Sequence, residues 1–157
     1  MRPTFHTPVT ILPHHLFRAG MFLPFVRPMS HSAARMTQPL ALLLYEKLLP
    51  GSQLVNRLQD LGWRVQTIND GAGLTRAAEE HKPLLVLADL VSSRQSVCEG
   101  IMALRRNKNT AHLPVIAFAT EEALHAPALA AGANLVANDA AILQHLDQFL
   151  DQVLSNF

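Results

Sequence analysis

Asp89 closes an apolar run, Leu84-Leu85-Val86-Leu87-Ala88, and Glu46 follows another, Leu40 to Tyr45. Asn138-Asp139 follow a third, short run at Leu135-Val136, and Ala119-Thr120 follow Pro114-Val115-Ile116-Ala117-Phe118. Acids at the carboxyl ends of adjacent parallel strands lie on strands ~4.8 Å apart, close enough to share a hard divalent cation. Glu46 and Asp89 would be such a pair if their two strands are neighbours, and Mg²⁺ bound weakly is the cofactor they would then suit. The alternative for Asp89 is a carboxylate left facing solvent, or one that caps nearby backbone N–H groups. Asp139 reads as the N-cap of the last helix. Other reactive types have no constellation. Cys98 stands alone, without a His–acid pair around it, and reads as a small residue on a helix. His81, His112, His125 and His145 lack metal-ligand spacing. Arg105-Arg106-Asn107-Lys108 is a basic cluster at a helix end, where cations suit the dipole, and implies no nucleic acid. Gly51 is isolated and Gly71-Ala72-Gly73 follows the second strand, so no glycine-rich phosphate loop follows the first.

These residues are positioned by alternating elements. Leu54, Val55, Leu58 and Leu61 recur at helical spacing between Pro50-Gly51 and Gly62. Trp63 to Ile68 alternates as a strand, and Asn69-Asp70-Gly71 is a turn. Residues 72–81 read as an Ala- and Glu-rich helix closed by Pro83. The run at 84–88 is apolar on both faces, as a central covered strand must be. Val97, Ile101 and Leu104 mark a third helix, and Pro114 to Phe118 a fourth strand. Thr120 is placed to cap the next helix, which Pro127 interrupts. Ile142, Leu143, Leu146, Phe149, Leu150, Val153 and Leu154 form one amphipathic final helix. Strand and helix alternate throughout, which predicts a doubly wound α/β domain with a five-stranded parallel sheet. Its ligands would sit at the carboxyl strand ends, where Tyr45, Glu46, Asp89, Ala119, Thr120 and Asn138-Asp139 fall.

The chain has 157 residues, 49% hydrophobic and 16% charged, which suits one folded domain and excludes global disorder. A single cysteine excludes an internal disulfide framework and fits a reducing, cytoplasmic setting. The net charge of +1 is unevenly spread. Residues 1–35 hold four arginines, five prolines and no acid; residues 36–157 hold nine basic and twelve acidic residues, a net −3. Residues 1–38 therefore read as a disordered Pro/Arg-rich leader, with Met36 a candidate start, and 39–157 as the domain. No apolar run reaches the ~18 residues of a membrane span.

The order of strings resembles a bacterial response-regulator receiver domain of the CheY-like superfamily. Val65-Gln-Thr-Ile-Asn-Asp-Gly-Ala-Gly-Leu leads to Ala77-Ala78-Glu79-Glu80-His81-Lys82-Pro83 and on to Asp89-Leu90; Pro114-Val-Ile-Ala and Ala131-Gly132-Ala133 fall in register behind them. The resemblance covers about residues 39–155. It implies a flavodoxin-like strand order 2-1-3-4-5, and no catalysed reaction. It also implies a site: two acids after strand 1 for Mg²⁺, a phosphoacceptor Asp after strand 3, a Ser or Thr after strand 4 and a Lys after strand 5. Asp89 falls on the phosphoacceptor. The acid pair is reduced to Tyr45-Glu46, the hydroxyl position falls on Ala119 with Thr120 one residue late, the aromatic of strand 5 falls on Val136, and the lysine on Asp139.

Phosphoryl transfer rests on positioning and charge stabilisation. Two unit charges ~5 Å apart interact by about 3 kcal/mol at an effective dielectric near 20. An acid in place of the lysine reverses that sign, and only Lys47 and Arg94 are at hand to compensate. The expectation is a stand-alone, receiver-like signalling module, with no output domain after Phe157, acting through a protein partner without a working phosphorylation switch. The alternative is a two-component response regulator phosphorylated on Asp89 by a histidine kinase.

Overall fold

The computed structural model describes residues 37–91 and 96–156. The readings made for residues 1–35, for Met36 and for Arg94 lie outside the described residues. Strands β1 (Leu40–Leu44), β2 (Arg64–Ile68), β3 (Leu85–Asp89), β4 (Val115–Phe118) and β5 (Leu135–Ala137) form one sheet in the order β2-β1-β3-β4-β5. Every pairing is parallel, with Leu44 level with Ala88, Asp89 with Phe118, and Phe118 with Ala137. The expected topology is the one observed.

Alternation along each strand sorts the core into two layers. Leu42, Leu44, Val86, Ala88, Val115 and Ala117 face one way. They bury helices α2 (Leu74–His81), α3 (Val97–Arg106) and α4 (His125–Ala131) through residues such as Leu74, Ile101, Leu104 and Ala128. Ala41, Leu43, Leu85, Leu87, Ile116 and Phe118 face the other way. They cover α1 (Leu48–Asp60), α5 (Asp139–Gln144) and α6 (Leu146–Leu154) through Leu54, Leu58, Ile142, Leu146 and Leu150. Each such buried Leu, Ile or Phe stabilises the fold by about 1.5–3 kcal/mol. Helix α3 comes so near the Gly71–Gly73 turn that a Cβ on Gly100 would lie 2.6 Å from the Gly71 carbonyl oxygen.

Local readings needed correction where a residue type serves two purposes. Pro50-Gly51 does not stand before α1 but inside its first turn, past a non-helical Leu49; a helix start tolerates Pro because that N–H has no partner anyway. Pro127 likewise sits in the first turn of α4 and does not break it. Thr120 is exposed and caps nothing; Glu121 precedes a single 3-10 turn, Glu122–Leu124, that leads into α4. The last helix is two, divided at His145 (φ −121°, ψ 30°). His145 still donates to Ala141 O at 2.9 Å, and its own carbonyl accepts from Phe149 at 3.1 Å. The buried stripe Ile142, Leu146, Leu150, Val153 therefore runs unbroken across the division.

Candidate functional site

The carboxyl edge of the sheet is built by backbone bonds between strand ends. Tyr45 N–H donates to Ile68 O at 3.0 Å, Leu90 N–H to Phe118 O at 2.9 Å, and Ala119 N–H to Ala137 O at 3.1 Å. Asp89 sits in the middle of that edge and is only 4% exposed. The solvent-facing reading is thus overturned, because neighbouring strands enclose the end of β3. The capping reading fits: Oδ1 accepts from Val91 N–H at 2.9 Å. Burial pushes the Asp89 carboxyl above its ordinary range. The Val91 bond opposes that shift, Asp139 and Glu46 add to it by charge repulsion, and Lys47 offsets them in part.

The other sequence-predicted positions are distributed around this edge. Tyr45, half-buried, lays its ring against Gly51 of α1, where any Cβ would collide with it. Its ring and Glu46, with Thr67, Ile68 and Asn69, line a small open cleft between β1 and β2. Ala119 is fully buried and offers no hydroxyl. Val136 is half-buried against the α2–α4 layer. Asp139 is not the N-cap of α5. Asn138 takes that role, its Oδ1 accepting from Ala141 N–H at 2.7 Å. Asp139 follows in the first turn, where an acid suits the helix dipole, but its Oδ1 is buried with no hydrogen-bond partner.

The charges at this edge interact, but they do not compose a coordination sphere. Among the described residues no group of three His, Cys, Asp or Glu side chains is placed to hold a metal ion. Asp89 Oδ1 accepts from Val91 N–H, and Tyr45, next to Glu46, brings no carboxylate to this edge. These donors do not fit the divalent-cation site that the resemblance implies. Cys98, half-buried on α3, has its thiol pushed up by burial and is a poor nucleophile.

Two residues gained roles that spacing had not shown. His125 donates from Nε2 to the Ala119 carbonyl at 2.9 Å, tying the start of α4 to the end of β4. Arg105 is not merely part of a basic cluster. Its guanidinium donates to Gly132 O (2.9 Å), Ala111 O (2.8 Å), Leu113 O (2.6 Å) and Asn134 Oδ1 (2.6 Å). The signal was present: Arg105 lies four residues after Ile101 and one after Leu104, on the buried side of α3.

No family model and no curated protein matches the chain. Solved structures do match. The receiver domain of the sensor histidine kinase PA1611 from Pseudomonas aeruginosa, which holds magnesium in its cleft, superposes with a TM-score of 0.69 at 21% identity. That match covers 75% of this chain and 98% of the other. The chemotaxis protein CheY4 of Vibrio cholerae gives 0.67 at 19% identity, over 74% and 98%. The response-regulator domain of Thermotoga maritima CheB gives 0.64 at 17%, over 75% and 97%. The chain has the CheY-like receiver fold. Among the described residues no helix is long and apolar enough to cross a membrane.

Proposed function

We propose that this domain is a receiver-like signalling module that acts by binding a protein partner, and that phosphorylation of Asp89 is not its switch. The charge around Asp89 carries this reading. The receiver resemblance would put a cation at the position of Asp139, and Asp139 raises the Asp89 pKa where a cation would lower it. A phosphoryl group would add up to about −2 charge next to Glu46 and Asp139. Among the described residues Lys47 is the one cation acting on Asp89, and it is exposed and screened by solvent; the Val91 N–H is the other group that favours negative charge there. Ala119 cannot bond a phosphoryl oxygen through its side chain. The reading includes no catalysed reaction, a cytoplasmic setting, and a histidine kinase or other signalling complex as the class of partner.

The test is incubation with acetyl phosphate and Mg²⁺ followed by intact-mass measurement, with Asp89→Asn as control. The expected result is no mass gain in either protein. The position of Asp89 at the end of β3 favours one rival, a response regulator phosphorylated there by a histidine kinase. A label on the parent protein that persists for minutes and is lost in Asp89→Asn would replace the first reading by that one.

A further inference from the structure

At the opposite edge of the sheet, the amino ends of β3 and β4 open into two cavities of about 690 and 400 Å³. They share Pro83, Leu84, His112 and Leu113 as walls and so form one groove. The smaller end is apolar, closed by Pro114 and by Leu154 of α6. Leu84, just before the fully buried β3, is 56% exposed. The larger end adds Lys82 and Lys108. Its one acid, Glu79, accepts from the amides of Asn107 (2.9 Å) and Asn109 (3.1 Å). Those amides hold its pKa down. Lys82 and Lys108 are both exposed, so the larger end carries two ammonium groups against one carboxylate.

Lys82 adds a further observation. It caps α2 in the left-handed region (φ 49°, ψ 59°), where glycine would be free of strain. A strained non-glycine cap whose side chain lines a cavity is the kind of position where strain is kept for function. We infer that this groove docks an acidic, leucine-bearing peptide segment of a partner protein, with the apolar side chain over Leu84 and Leu113 and the carboxylates on Lys82 and Lys108. This goes beyond the reading of Asp89, which lies at the far end of a five-residue strand, roughly 17 Å away.

The test is binding of a fluorescein-labelled peptide, a leucine pair flanked by glutamates, to the full chain, with methyl NMR of Leu84, Leu113 and Leu154 as the site readout. The expected result is saturable binding that shifts those methyls and weakens as salt rises. A control peptide with lysines for glutamates should bind at least about tenfold more weakly. Leu84→Asp and Lys108→Glu should each lose about tenfold. Lys82→Gly should raise the thermal midpoint and still weaken binding, which separates a lost contact from a lost fold. Equal binding of both peptides, or no methyl shift, overturns the inference. So does self-association that Leu84→Asp abolishes, since the occupant would then be a second copy. Acetyl phosphate labelling of Asp89 would overturn only the earlier proposal.

Discussion

The two ends of β3 carry opposite chemistry. At its carboxyl end Asp89 is buried, faces the charges of Glu46 and Asp139, and has its pKa raised. At its amino end Leu84 is exposed beside Lys82 and Lys108. One apolar strand thus joins an edge where two carboxylates raise the Asp89 pKa to an edge lined by two lysines. The parallel sheet determines where both edges lie, but the side chains at each decide what can bind. A shared fold does not by itself establish a shared switch. The neighbouring receiver structures establish the fold, while the charges of this chain argue about its use.

The comparison breaks most readily at Arg105. Its fan of bonds fastens the α3–β4 segment, Ala111 and Leu113, to the α4–β5 turn at Gly132 and Asn134. Leu113 is also a wall of the amino-edge groove. Arg105→Ala strands several acceptors and should cost about 2–4 kcal/mol, read as a shift in the urea midpoint. Arg105→Lys should recover little of it, because an ammonium cannot reproduce the planar fork. A loss below about 0.5 kcal/mol would show that the amino edge does not depend on this brace.

Asp89→Asn probes the other end with a smaller effect. Asparagine keeps an oxygen for Val91 N–H and removes the buried charge. Because the folded-state pKa is raised, the ionised carboxylate costs stability at neutral pH. That cost falls as pH drops through the folded pKa, and it is gone below the ordinary value of 3.8. Asp89→Asn should therefore stabilise by about 0–2 kcal/mol at pH 7, and the gain should vanish toward pH 3. Strong destabilisation at pH 7 would mean that the carboxylate makes native hydrogen bonds an amide cannot replace.

The sheet was legible because its strands are apolar runs bounded by turn residues, and β3 announces its central place by having no polar face. The stripe of α5 and α6 was legible as a period, but its division at His145 was not, since the buried positions continue across it. Pro127 and Asn138-Asp139 misled for a common reason: proline both starts and breaks helices, and either of two adjacent residues can cap. The positions of Glu46, Asp89 and Asp139 at the carboxyl edge followed from strand ends alone. Their environment did not. Asp89 is buried by neighbours contributed from other strands, and the partners of Arg105 and His125 include backbone carbonyls that look the same at every residue. Tyr45 and Gly51 are six residues apart, yet only the return of α1 over the edge shows why the glycine is needed.

Asp139→Lys tests the charge argument with the smallest expected change in stability. It replaces repulsion of Asp89 by attraction, and it removes a buried carboxylate oxygen that lacks a partner. Against this, it puts a cation in the first turn of α5, which costs about 0.3–1 kcal/mol. The net gain should be about 0–1 kcal/mol, larger at low salt than at high salt. The sharper readout is the Asp89 side-chain carbonyl followed by NMR through its titration, which should move to lower pH in the variant. An unchanged titration would show that Asp139 does not act on Asp89, and the charge argument would lose its main support. If the variant takes up phosphate from acetyl phosphate while the parent does not, the missing cation alone disables the site. If neither does, the absent hydroxyl at Ala119 and the ring of Tyr45 contribute to the block, since no cation can replace a hydrogen-bond donor or a second acid.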